Sequence, residues 1–174
     1  MPAGARLTHP NAQVARASAP LASPTNYFEL TFTAQANVDY RLWIRGNAAA
    51  NHWSNDSAWV QFSDSVSASG AATWRIGSPS AATYVLENCT NCPSSGWGWN
   101  DNEYGGTSLG VPVRFATGGT HRIRIQTRED GLSIDQIVLS AATYFSSAPG
   151  PVRNDATILE SCAAGAAVMT SREP

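Results

Sequence analysis

Short runs in which apolar residues fall at every second position recur along this chain, and they constrain its fold more than any other feature. A period of two sends alternate side chains to opposite faces of a pleated strand. In Tyr27-Phe28-Glu29-Leu30-Thr31-Phe32-Thr33 the residues Phe28, Leu30 and Phe32 share one face. After a turn at Asn37-Val38-Asp39, the run Tyr40-Arg41-Leu42-Trp43-Ile44-Arg45 sends Tyr40, Leu42 and Ile44 to the core and points Arg41, Trp43 and Arg45 away. Alternation resumes in Ser57-Ala58-Trp59-Val60-Gln61-Phe62, and short strands are predicted around Trp74-Arg75-Ile76 and Tyr84-Val85-Leu86. Val111-Pro112-Val113-Arg114-Phe115 alternates around a proline, which cannot donate to a sheet ladder, so it is predicted at a sheet edge. In His121–Arg128, Ile123 and Ile125 point inward while Arg122, Arg124 and Arg128 point outward. The apolar residues of Leu132–Leu139 change face after Asp135, which predicts a bulge there.

These amount to about seven or eight strands with no amphipathic helix between them. The expectation is an all-β fold, a jelly-roll β-sandwich of two antiparallel sheets. A chain of 174 residues suits one domain and buries enough surface to need no metal or disulfide for stability. Residues 1–26, rich in Ala, Pro and Ser, read as an extended lead-in, 27–147 as the sandwich, and 148–174 as a flexible tail or linker.

Composition removes several classes of function. Charged residues are 14% of the chain, the net charge is -2, and all eleven basic residues are Arg, so no basic excess calls for nucleic acid. No run approaches 20 apolar residues, and the first residues lack the apolar stretch of a signal peptide, so no membrane anchor is expected. A monomer is expected. Cys89-Thr90-Asn91-Cys92 lacks the further ligands that zinc requires and the strand and helix context of a redox motif. A local disulfide is the favoured reading, which implies an oxidising compartment and leaves Cys162 odd in the tail.

The chemistry concentrates in 95–106, Ser-Gly-Trp-Gly-Trp-Asn-Asp-Asn-Glu-Tyr-Gly-Gly. Glycine, Asn and Asp favour turns over regular elements, so this stretch is predicted to be a loop. Two indoles on a loop either plug a core or offer a flat platform. Trp97 and Trp99, beside Asn100, Asp101 and Asn102, supply what a sugar needs: a surface to stack on and directional partners for hydroxyls. Two further loops carry candidates, 46–56 with Trp53 and Asn55, and 128–133 with Glu129 and Asp130. Loops gather at the ends of a sandwich, where these three would form one site.

The order of these features resembles the family 6 and family 35 carbohydrate-binding modules of the galactose-binding-like superfamily. The likeness runs from about Tyr27 to Leu139 and rests on Tyr27–Phe32, Tyr40–Gly46, Ser95–Trp99, Gly119–Ile125 and Ser133–Leu139. It implies a sugar stacked on Trp97 and faced by Trp53, although a single glycine between Trp97 and Trp99 leaves open which indole is the platform. Ser133 stands where the family often has a ligand-binding Asn, which weakens that sugar contact or transfers it to Glu129 or Asp130. Asp135 resembles the acidic residue that helps hold a structural calcium, with no partner Glu identifiable on an initial strand. The expected function is non-catalytic binding of polysaccharide or oligosaccharide, as part of a larger secreted protein. The alternatives are a structural or adhesive module that binds protein, and a glycosidase using Asp101 with Glu103 or Glu129 with Asp130. No nucleophile triad, phosphate loop or H-E-x-x-H pair is present.

Overall fold

The computed structural model describes residues 6–87, 95–104 and 108–150, together with the backbone of residues 169–170. Cys89, Cys92 and Cys162 lie outside the described residues. The chain is an all-β sandwich of two antiparallel sheets. The first runs in the order β1 (Leu7–Thr8), β10 (Leu132–Ser140), β3 (Asp39–Ala48), β8 (Val113–Phe115), β5 (Ser65–Val66), and β7 (Gly98–Asn100) also pairs with β3. The second runs β11 (Met169–Thr170), β2 (Tyr27–Ala34), β9 (Gly119–Thr127), β4 (Ser57–Phe62), β6 (Ala82–Val85).

The inward residues of the alternating runs meet between the sheets. Tyr40, Leu42 and Ile44 from β3 face Phe32, Val60, Phe62, Tyr84, Ile123 and Ile125 from the second sheet, all buried. At one end of this core Phe32, Phe62 and Phe115 contact each other edge-on, with ring centroids 5.5–6.4 Å apart. His121 stacks on Phe115 at 4.2 Å and sets its Nδ1 2.7 Å from Asp64 Oδ1. Each such aromatic side chain stabilises the fold by about 1.5–3 kcal/mol through the area it removes from water.

The residues expected to point away from the core are covered rather than solvated. Arg41, Trp43 and Arg45 are all buried. Trp43 Nε1–H donates to the Tyr144 carbonyl at 2.7 Å, and Arg41 donates to the carbonyls of Phe145 and Gly110. A segment following β10 therefore packs over the outer face of β3. On the second sheet, Gln61 and Gln126 bond to each other at 3.0 Å beneath the chain at Leu21, Ser78 and Ser80. Asp130 fastens the lead-in by accepting the N–H groups of Ala12 and Val14 at 2.6 and 3.0 Å.

Three local expectations are corrected. Trp74–Ile76 forms no strand, because Trp74 has a φ of 48° and only Arg75 makes a bridge to Phe62. Val113–Phe115 lies between β3 and β5 rather than at an edge, since Pro112 falls just before the first paired residue. Gly98–Asn100, read as loop, pairs with Ile44–Gly46 of β3. The bulge is present in β10, where register shifts between Ile134 and Gln136.

Candidate functional site

The three candidate loops meet at one end of the sandwich. In loop 46–56 the backbone reverses through Ala50 and Asn51, with φ of 55° and 53°, into a single 3-10 turn over Trp53–Asn55. His52 caps that turn, its Nδ1 accepting the Ser54 N–H at 3.2 Å. Asn51 Oδ1 accepts the Gly96 N–H at 2.9 Å and joins this loop to the tryptophan segment. Backbone bonds join it to 128–133: the Gly131 carbonyl accepts the Ala49 N–H at 3.0 Å, and just beyond the loop the Ser57 carbonyl accepts the Glu129 N–H at 3.3 Å.

The indoles differ in what they do. Trp53 is the most exposed of the six tryptophans, at 38% of its full surface, with the His52 ring 5.1 Å from its own. Trp97 is half-buried over the Arg45 guanidinium, which lies 5.1 Å from the ring centroid. Trp99, also half-buried, donates its Nε1–H to the Gly150 carbonyl at 2.8 Å. Trp97 therefore covers a buried cation on one face, while Trp99 is held by the chain beyond β10.

Most of the expected polar ligand residues are engaged inside the protein. Asn100, buried, donates to the Val85 carbonyl at 2.7 Å. Asp101, buried, organises its own loop by accepting the N–H groups of Glu103 and Gly110 at 2.8 and 2.7 Å, with Arg41 3.5 Å away. Asn55 donates to the Ala49 carbonyl at 3.1 Å. Asp130 holds the lead-in, as described above, and Glu129 accepts the Ser57 hydroxyl and the Asp56 N–H. Asn102, half-exposed, donates to the Val111 carbonyl at 3.0 Å. Turn-forming residue types bond to their own loops as readily as to a ligand, and here they do so.

Asp135 Oδ2 lies 2.9 Å from Arg45 NH1, and both side chains are almost fully buried. A calcium ion at Asp135 would compete with that guanidinium, so the residue as placed does not suit an ion ligand. Among the described residues no group of three or more His, Cys, Asp or Glu could hold a metal ion.

Sequence reasoning missed Asn51, His52, Arg45 and a buried acidic group. Asp56, Glu87 and Glu129 are all buried; Asp56 Oδ2 accepts the Glu87 N–H at 2.8 Å, and Tyr104 O–H donates to Glu87 at 3.3 Å. Burial, then the nearby carboxylates of Glu129 and Glu87, push the Asp56 carboxyl up to about 7 despite the Glu87 N–H that it accepts. Burial also raises the Tyr84 hydroxyl, helped by Asp56 and Asp135, and lowers Arg128, helped by Arg16. Asp56, Glu87 and Glu129 each fall just outside a strand end and far apart in sequence, which gives no sequence signal for such a group. Comparison with protein-family models, curated proteins and solved structures finds no match for this chain.

Proposed function

We propose that this chain is a non-catalytic glycan-binding domain whose loop end takes a sugar ring against an exposed indole. The observation that carries this reading is the Asn51–Gly96 hydrogen bond, which seats the Trp53 turn against the Trp97 segment. Pyranose rings stack their C–H faces on aromatic surfaces, and such contacts contribute about 1 kcal/mol beyond area burial. With Asn100, Asp101, Asn55, Glu129 and Asp130 buried, hydroxyl recognition falls to the polar atoms that Asn51, His52, Asn102 and Glu103 still present to solvent beside their own internal bonds. A site of this size binds weakly, so retention on a polysaccharide depends on multivalency or on companion domains of a larger secreted protein. Among the described residues of this end, Asp101, Glu129 and Asp130 are buried and engaged, which argues against glycosidase chemistry.

A protein-binding module is the second reading, and it is favoured by Tyr104, Leu109 and Val111, which are exposed on one connection. Retention on soluble and insoluble polysaccharides and on a glycan panel tests the two. Binding that is lost in folded Trp53→Ala or Trp97→Ala variants supports the glycan reading. No retention on any glycan, with or without calcium, overturns it in favour of the protein-binding reading.

A further inference from the structure

A cleft of about 280 Å3 opens between the two sheets, where β1 and β10 face β2, β4 and β9. Its apolar walls are Leu7, Leu132 and Ile134 from one sheet and Phe28, Ala58 and Ile125 from the other. Facing sheets normally interdigitate and leave no such gap. Here the small side chains of Ser57 and Ala58 hold it open, and the pinned lead-in forms one rim. None of the six tryptophans lines it, so it is separate from the indole site.

The polar groups in the cleft narrow the chemistry of an occupant. Among the described residues, Glu129 is the only Asp, Glu or Arg lining it, and its side chain is 4% exposed. Among the described residues, Glu129 accepts two hydrogen bonds, from the Ser57 hydroxyl at 2.5 Å and the Asp56 N–H at 3.4 Å, and both go to Oε2. Oε1 lies 3.7 Å from Arg128 and 4.0 Å from Arg16, beyond hydrogen-bonding range of either. Its charge is thus balanced while its lone pairs are not used. Arg128 and Arg16 sit behind Oε1 and not in the cleft, so a cation there gains little from a carboxylate already balanced, an anion would meet the carboxylate, and a neutral hydroxyl would find an acceptor. His9 lines the same wall, and its buried Nδ1 has no partner among the described residues. An apolar cavity of about 150 Å3 is enough for benzene, so this volume admits a ring with a short substituent.

We propose that the cleft binds a small neutral phenol, its ring between the two sheets and its hydroxyl donating to Glu129 Oε1. The test uses the whole chain and three probes of similar shape: 4-ethylphenol, ethylbenzene and phenethylamine. Amide and methyl chemical shifts are followed by NMR during titration into the millimolar range. The expected result is saturable shifts at Phe28, Ile125, Leu132 and Ile134 with 4-ethylphenol, and binding at least about tenfold weaker for the other two, since a hydrogen bond to a charged acceptor is lost. Glu129→Gln should shrink that discrimination. Because Glu129 also holds Ser57, Leu7→Trp, at an exposed rim position, serves as a second variant that should block binding while the fold persists. No saturable shift, equal affinity for ethylbenzene, tighter binding of phenethylamine, or undiminished binding to folded Leu7→Trp would each overturn the proposal. Shifts centred on Trp53 instead would overturn it and leave the glycan reading standing.

Discussion

The side-chain oxygen of Asn51 accepts the backbone N–H of Gly96 across a sequence separation of 45 residues, at 2.9 Å. Through that bond a turn with Asn51 at positive φ carries the most exposed tryptophan to the segment that carries Trp97. An exposed neutral hydrogen bond contributes about 0.5–1.5 kcal/mol net. Asn51→Ala should therefore leave global stability within about 1 kcal/mol of the parent. The Gly96 amide should exchange with solvent several-fold faster in the variant, measured by native-state hydrogen exchange. Unchanged exchange would mean that the two loops are held together by something else.

Arg45 lies beneath Trp97 and against Asp135, and its burial sets the direction of the next outcome. Removing one member of a buried ion pair strands the other and costs about 3–5 kcal/mol. Arg45→Met alone should show that loss in urea unfolding. The double variant Arg45→Met with Asp135→Leu should recover most of it, because no charge is then left buried. Loss of the guanidinium also frees the lower face of Trp97, so its fluorescence should shift in Arg45→Met. If the single and double variants are equally destabilised, the pair is not the unit described here.

Asp56 gives the fold an acidic preference. Its carboxyl titrates near 3.8 when exposed and at about 7 in the folded protein, chiefly because it is buried beside Glu129 and Glu87. Between those values the folded state keeps a proton that the unfolded state has lost. Its contribution to stability is therefore full below about pH 4, falls as pH rises to about 7, and stays lost above that. At 1.36 kcal/mol per unit, the loss from this group is at most about 4 kcal/mol. Asp56→Asn keeps an acceptor for the Glu87 N–H and removes the titration. Denaturant midpoints measured from pH 4 to pH 8 should fall in the parent and flatten in Asp56→Asn. Parallel profiles would assign the pH dependence to other groups.

The strand pattern could be read because it is local: Tyr40, Leu42 and Ile44 announce an inward face with no knowledge of the rest of the chain. The same run hid the fate of Arg41 and Arg45, because their cover comes from Phe145, Trp97 and Asp135, far away in sequence and without periodicity. Trp97 and Trp53 stood out by residue type, whereas Asn51 looked like one Asn among many. Asp101 and Asn100 looked like ligand groups because the same side chains serve a sugar and a turn equally well, and only their partners Gly110 and Val85 decide between them. At Gly98–Asn100 glycine argues against a strand, yet β3 supplies a partner at Gly46 that tolerates it.

That pairing exposes one further point of strain. A Cβ added to Gly46 would stand 2.5 Å from the Tyr84 hydroxyl oxygen, and Tyr84 is fully buried with no hydrogen-bond partner for that hydroxyl among the described residues. Gly46→Ala should cost about 1–3 kcal/mol through overpacking against a side chain that cannot retreat. Tyr84→Phe removes the obstructing oxygen together with a buried polar group that is not satisfied. On its own it should be neutral or stabilising by up to about 1 kcal/mol. Placed in the Gly46→Ala background, it should restore more stability than it adds to the parent, a coupling that a double-mutant cycle by urea unfolding reads directly. Additive effects would show that β3 shifts to accommodate the methyl, and that the closeness of Gly46 to Tyr84 does not limit the packing of the two sheets.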